Sequence, residues 1–236
     1  MFFLNHTALF VTGTDTGVGK TVVTALLALK MRQLGVDCTV FKPFASGCRL
    51  ENGVLVSEDA EFLRKALDLT DAMDEICPIR LEEPLAPLIA ARRAGISTAK
   101  WPQIAREAFQ NLRAKHQFVI VEGVGGVLAP IWENEGGFGT NFDLMRDWDL
   151  PAVLVARRGL GTINHSLLAL QMPAKWAGIV FNDAAPVDEN DIAAQSSPAF
   201  IAGAVSIPIW GQIPCAPDFE AETLNEMTRA LEIRLE

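Results

Sequence analysis

"VTGTDTGVGKTVV", residues 11–23, closes one apolar run and opens another. Phosphate-binding loops follow the pattern G-x-x-x-x-G-K-[ST]. Gly19, Lys20 and Thr21 satisfy the second half, but position 14 holds Thr14, and the opening glycine is Gly13, one residue early. The surroundings are those the pattern requires. "ALFVT" (8–12) reads as a buried strand, and "TVVTALLALKMRQLG" (21–35) as a buried helix stopped by glycine. Gly13, Gly17 and Gly19 let backbone amides turn toward phosphate oxygens. Lys20 would reach the terminal phosphates, and the Thr21 hydroxyl would hold Mg²⁺. The helix that follows points its positive end at the same place. The plain alternative is a glycine-rich turn. Gly-Lys-Thr between strand and helix argues against that, and one extra residue widens the loop without destroying it.

Working outward, strands alternate with helices. Further strands are expected over 38–43, 117–123, 151–156, 176–182 and 207–211. Helices are expected over 57–69, 101–115, 161–172, 188–203 and 219–235. Ser57 is a good N-cap, with Ala60, Leu63 and Leu67 on one face of its helix. The 101–115 helix should bury Ile104, Ala108 and Leu112. Strands buried on both faces and alternating with helices mean a doubly wound α/β fold, a mostly parallel sheet flanked by helices, here as a single domain over 1–236. Ligands on such sheets bind at the carboxyl ends of the strands.

Composition limits the partners. The chain has 236 residues, 50% of them hydrophobic, enough for one substantial core. A net charge of −9 argues against a general nucleic-acid binder but leaves room for a local anion site. The apolar runs are too short to span a membrane. Cys38, Cys48, Cys77 and Cys215 are scattered, with no CxxC pair and no signal peptide, as expected of reduced thiols in a cytoplasmic protein.

Three more strand ends carry candidate chemistry. Lys42, in "FKPFASG" (41–47), follows the second strand; beside a phosphate loop it could stabilise charge on a transferring phosphoryl group, although a lysine there is more often a solvated surface charge. Asp59 opens the 57–69 helix; Glu58 and Glu61 compete with it, and acids favour first turns for dipole reasons alone. Glu122, in "FVIVEGVGG", is an acid at the tip of an apolar strand, a place suited to holding Mg²⁺ directly or through water. Burying it unpaired would be costly, so structure alone does not explain it.

The set "VTGTDTGVGKT", "FKPFASG", "SEDA", "VEGVGG", "GLGTINHSLL" and "VFND", extended by "GQIP" (211–214), resembles the dethiobiotin synthetase family over most of the chain. The longer glycine loop is a mark of that family. The resemblance implies an ATP- and Mg²⁺-dependent ligase of biotin synthesis. By the same resemblance, an amine of 7,8-diaminopelargonate would capture CO₂ as a carbamate, the carbamate would take the γ-phosphoryl group of ATP with release of ADP, and the neighbouring amine would close a ureido ring by expelling phosphate. It implies that Lys42, Lys20 and Thr16 stabilise carbamate and phosphate charge, and that Thr21, Asp59 and Glu122 hold Mg²⁺. Nucleotide contacts are implied along Gly17, Val18, Gly19, Lys20, Thr21 and Val22, at Gly123, Val124 and Gly125, at Asn182 and Asp183 beside the base, and at Pro214, Cys215 and Ala216. Ser46 and the Gly123 backbone would meet the diamine. The "GLGTINHSLL" helix start, with Asn164, would bind the substrate carboxylate from the partner subunit of a homodimer. His165 in that helix is read as a packed residue and not as a base.

The chain departs from the family in three places. Leu88 stands where a histidine is common and is expected to shape the pocket wall. The link from "HSLLAL" to "WAGIVFN" is short and contains Pro173, which should truncate the helix before it. Beyond residue 214 the sequence offers few fixed points. A partitioning-type ATPase switch shares the strand–loop–helix start, but such proteins carry an early lysine in the loop, and residues 14–18 contain none. A degenerate regulatory relative would have lost the charged residues that stand here, and a cobyrinate-type amidotransferase would need a glutaminase domain for which 236 residues leave no room.

Overall fold

The computed structural model describes residues 6–188 and 190–233. β1 (Ala8–Gly13) leads through the glycine loop into α1 (Lys20–Gln33), and β2 (Cys38–Phe41) follows. A peripheral segment comes next: β3 (Phe44–Ala45), a hairpin of β4 (Arg49–Glu51) and β5 (Val54–Val56), α2 (Glu58–Ala66), α3 (Met73–Ile76), β6 (Ile79–Arg80) and α4 (Pro87–Ala94). α5 (Trp101–Lys115) returns the chain to the sheet at β7 (Phe118–Gly126). A second hairpin, β8 (Pro130–Asn134) with β9 (Gly137–Thr140), and α6 (Asn141–Asp147) precede β10 (Pro151–Ala156). The chain then runs through α7 (Thr162–Leu170), β11 (Lys175–Asn182), α8 (Ile192–Ala204), β12 (Ile209–Ile213) and α9 (Ala221–Met227).

The central sheet has the order β12-β11-β10-β1-β7-β2, with every pair parallel. Alternate residues of each strand feed two cores. Leu9, Val11, Ile120, Val153 and Val155 pack with α1, α2 and α9 on one face, and Ala8, Phe10, Val121, Ala152 and Leu154 pack with α5, α6 and α8 on the other. From β1 the chain leaves first for the β2 side and later for the β10 side, so the carboxyl end of β1 is a topological switch point. The glycine loop sits there.

The six central strands are those expected, with shifted limits. β2 ends at Phe41, before Lys42 and Pro43. β7 runs on to Gly126, so Glu122 lies inside the strand, opposite Val11, and not at its tip. β12 starts at Ile209, after Pro208, which has no amide to donate. The α5 helix has its expected limits but a different buried face. Trp101, Ala105, Phe109 and Leu112 are buried, while Ile104 is exposed. Phe109 stacks on Trp148 at 4.7 Å, and this aromatic pair fixes the rotation of the helix. α7 stops at Leu170, ahead of Pro173. The expected 188–203 helix begins only at Ile192, where the Asp191 side chain accepts from the Ala194 amide at 3.0 Å, and Glu189 lies outside the described residues. The expected 219–235 helix is shorter. α9 ends at Met227, Thr228–Ala230 make one 3₁₀ turn, and Leu231 bridges to Gly211 of β12, an extended pairing that a helix would forbid. Arg234 and Leu235 lie outside the described residues.

Candidate active site

The loop after β1 is shaped by its glycines. Gly19 has φ +86° and caps α1, and a Cβ there would sit 2.1 Å from the Asn182 side-chain nitrogen, so both backbone and space demand glycine. The Asn182 amide donates to the Val18 carbonyl at 3.1 Å, tying the end of β11 to the loop. Val18 is itself buried, so what it offers a ligand is backbone. Lys20 folds over the loop and donates to the Asp15 carbonyl at 2.9 Å. Burial pushes its amino group down to about 8, partly opposed by the Glu122 carboxylate.

Lys42 is not a surface charge. Only 3% of it is exposed, and its ammonium lies 2.6 Å from Glu122 Oε1 and 2.8 Å from Asp59 Oδ2. Burial alone would push it down, but the two carboxylates outweigh burial and hold it above the usual lysine range. The Thr21 hydroxyl donates to the same Glu122 oxygen at 2.8 Å. Asp59 is half-exposed; loss of solvent pushes its carboxyl up, but the Lys42 ammonium outweighs that and holds it below the usual carboxylate range. Ser57 holds α2 in place by accepting from the Ala60 amide at 3.2 Å. Of the three acids considered near this helix start, Asp59 faces the site. Glu58 and Glu61 turn outward to Arg49.

Lys20, Thr21, Lys42, Asp59 and Glu122 share one cavity of about 410 Å³, together with Thr16, Gly17, Gly19, Val22, Ser46 and the Gly123–Gly125 backbone. A second cavity of about 480 Å³ adjoins it at Gly17 and is bounded by Asn182, Asp183 and Arg158. A third is walled by Arg158, Asp183, Pro214, Cys215 and Ala216. Asn164 lines none of them; it is exposed on α7, apart from the rest of the predicted set. Leu88 is buried inside α4 and is no part of the pocket wall. Sequence reasoning overlooked Arg158. Its signal was position, since it follows β10 at the same sheet edge as the other candidates.

The donor set suits Mg²⁺. One hydroxyl and two carboxylates are hard oxygen ligands, and Glu122 Oε2 is buried without any hydrogen-bond partner. So few protein ligands fit an ion that keeps water and takes phosphate oxygens besides.

A strand, a wide glycine loop with Lys20 and Thr21 on a helix start, and an acid on a neighbouring parallel strand define a P-loop nucleoside-triphosphate-utilising protein. Solved structures agree on the fold. The signal recognition particle receptor FtsY of Elizabethkingia anophelis, in complex with GDP, superposes with a TM-score of 0.52 at 12% identity over 96% of this chain and 64% of that one. A ParA family ATPase of Chlorobium tepidum TLS gives 0.51 at 11% identity, covering 96% and 100%. A family model described as an AAA domain matches residues 7–223. Among curated proteins, the ATP-dependent dethiobiotin synthetase BioD of Thermodesulfovibrio yellowstonii is 35% identical over 92% of each chain. Proteins of the same name from Anaeromyxobacter sp. (strain K) and Nitrosopumilus maritimus are 40% and 33% identical, covering 89% and 93% of this chain. The chain belongs to the ATP-dependent dethiobiotin synthetase family.

Proposed function

We propose that this protein closes the ureido ring of dethiobiotin from 7,8-diaminopelargonate, CO₂ and ATP, as an Mg²⁺-dependent ligase acting in the cytoplasm. The observation that carries the reading is the convergence of Lys20, Thr21, Lys42, Asp59 and Glu122, from four separate segments, on one cavity. ATP would lie with its phosphates in the glycine loop and its base past Gly17, toward Asn182 and the 214–216 turn. Thr21, Asp59 and Glu122 would hold Mg²⁺, which supplies charge neutralisation on the phosphates. Lys20 and Lys42, both buried, would offset the anionic charge of carbamate and phosphoryl group as one attacks the other, with Thr16 at the loop wall. Ser46 and the Gly123 backbone would position the diamine.

The substrate carboxylate would meet the start of α7 of a second copy. α7, like α1, begins at a left-handed glycine with no side-chain cap; the Thr162 amide turns back to the Gly159 carbonyl at 3.2 Å, and the Ile163 and Asn164 amides are left to a ligand. Asn164, exposed and lining none of these cavities, fits a role across a dimer. The test is direct: protein, ATP, Mg²⁺, bicarbonate and diaminopelargonate should yield dethiobiotin by mass and one phosphate per ring closed. Phosphate release indifferent to the diamine would instead indicate a switch ATPase.

A further inference from the structure

Arg158 and Asp183 close the far end of the nucleotide track. Arg158 follows β10 and Asp183 follows β11, so adjacent strands bring them together. Arg158 Nε donates to Asp183 Oδ1 at 2.8 Å, and its Nη2 donates to Oδ2 of the same carboxylate. The pair is largely enclosed, with side chains 17% and 5% exposed. Asp183 is also held through its backbone, whose amide donates to the Ile213 carbonyl at 2.9 Å. Both residues line the cavity that includes Asn182 and the one that includes Pro214, Cys215 and Ala216.

A carboxylate at this wall has consequences for the base. Guanine presents N1–H and its 2-amino group side by side, two donors that match the two oxygens of a free carboxylate. Adenine presents a lone pair at N1, which a free carboxylate would repel. A forked guanidinium uses both oxygens at once and cancels their charge. The other acids of the wall are engaged locally. Asp188 accepts from the Asn190 amide at 2.8 Å, and Asp191 caps α8.

We propose that Arg158 is a specificity-determining residue: by occupying both oxygens of Asp183 it removes the acceptor pair guanine would use and turns the base cavity toward adenine. This rests on the nucleotide site proposed above. The experiment compares kcat/KM for ATP and GTP in dethiobiotin formation by wild type, Arg158→Ala, Arg158→Lys and the Arg158→Ala/Asp183→Ala double variant, with ADP and GDP affinities by calorimetry. Wild type should favour ATP. Arg158→Ala should shift the ATP-to-GTP ratio toward GTP by about tenfold. Arg158→Lys, with one donor in place of a fork, should shift it less, and it keeps the question open to measurement if the alanine variant does not fold. The double variant should show no gain for GTP, because the acceptor itself is gone. Equal use of both nucleotides by wild type, an unchanged ratio in the folded single variants, or a GTP gain that survives loss of Asp183 would overturn the assignment while leaving the ligase reading intact. Failure of wild type to make dethiobiotin with any nucleotide would remove that reading and this one together.

Discussion

Lys42 holds two roles that mutation can separate. Its ammonium is the cation nearest the buried Glu122 carboxylate, and it is also a charge aimed into the phosphate cavity. Lys42→Ala should therefore cost turnover and stability together. Removing one partner of a buried pair leaves the other uncompensated, at a cost of about 3 kcal/mol. Losing a preorganised charge in a water-poor site should slow product formation by about 10³-fold. A neutral pair tells the roles apart: Lys42→Met with Glu122→Gln strands neither partner of this ion pair and, of the buried charges, leaves only Lys20 with less compensation, so its melting temperature should recover in large part while turnover stays low. Thermal denaturation and a product assay on the three proteins suffice. Near-normal turnover in Lys42→Ala would take Lys42 out of the chemistry, and a double variant no more stable than the single would take away its pairing role. Glu122→Gln alone should weaken the Mg²⁺ dependence of ADP binding, since the orphaned Oε2 becomes an amide or a weaker acceptor. An unchanged Mg²⁺ titration would end its assignment as a ligand.

At the level of elements, the 214–217 turn after β12 gives a chemical handle on the base site. Cys38, Cys48 and Cys77 are buried, and Cys215 in this turn is exposed. Burial pushes the Cys38 and Cys77 thiols up to about 12, far from reactive thiolates at neutral pH. A thiol reagent should thus titrate one cysteine in the native protein and four in denaturant. ADP should slow that one reaction severalfold if the base lies against Cys215; an unaltered rate with saturating ADP would place the base elsewhere. The sheet that positions this turn was legible in the sequence because its strands are short apolar runs buried on both faces, a pattern that survives without partners. The glycine loop was legible for a similar reason, since Gly19 answers to local backbone geometry. The peripheral hairpins were not. β4–β5 carries exposed Leu50 and Val54, and β8–β9 buries its Trp132 over Gly139 and against Phe44, contacts no local pattern announces. The face of α5 was misjudged because Ile104 and Phe109 compete for the core and a distant Trp148 decides between them. Arg158 escaped for want of its partner: its meaning lies in Asp183, 25 residues on.

For the whole molecule, the distribution of exposed apolar side chains suggests how the site is completed. Leu128, Leu160, Leu168, Ile192 and Phe200 are all more than half exposed, and they belong to the 127–129 loop, the turn before α7, and the neighbouring α7 and α8. Large apolar side chains gathered in this way mark an association surface more often than a bare one. The same region includes the uncapped start of α7 and Asn164, the parts of the proposed substrate site that lie outside the protein's own cavity. If two copies meet there, each donates to the other what it cannot use itself, and catalysis and dimerisation become one property. Leu160→Asp and Leu168→Asp each place a charge on that face without touching the phosphate loop. Sedimentation should show a dimer for wild type and monomers for both variants. ADP should still bind the variants within about threefold of wild type, because surface substitutions away from a site perturb it little. Dethiobiotin formation should fall by at least about 10²-fold, reflecting loss of the partner's anchoring of the diamine. Specific activity of wild type should also fall on dilution through the dimer dissociation range. A monomeric wild type with full activity at every dilution would separate the two properties and leave the exposed leucines without this role.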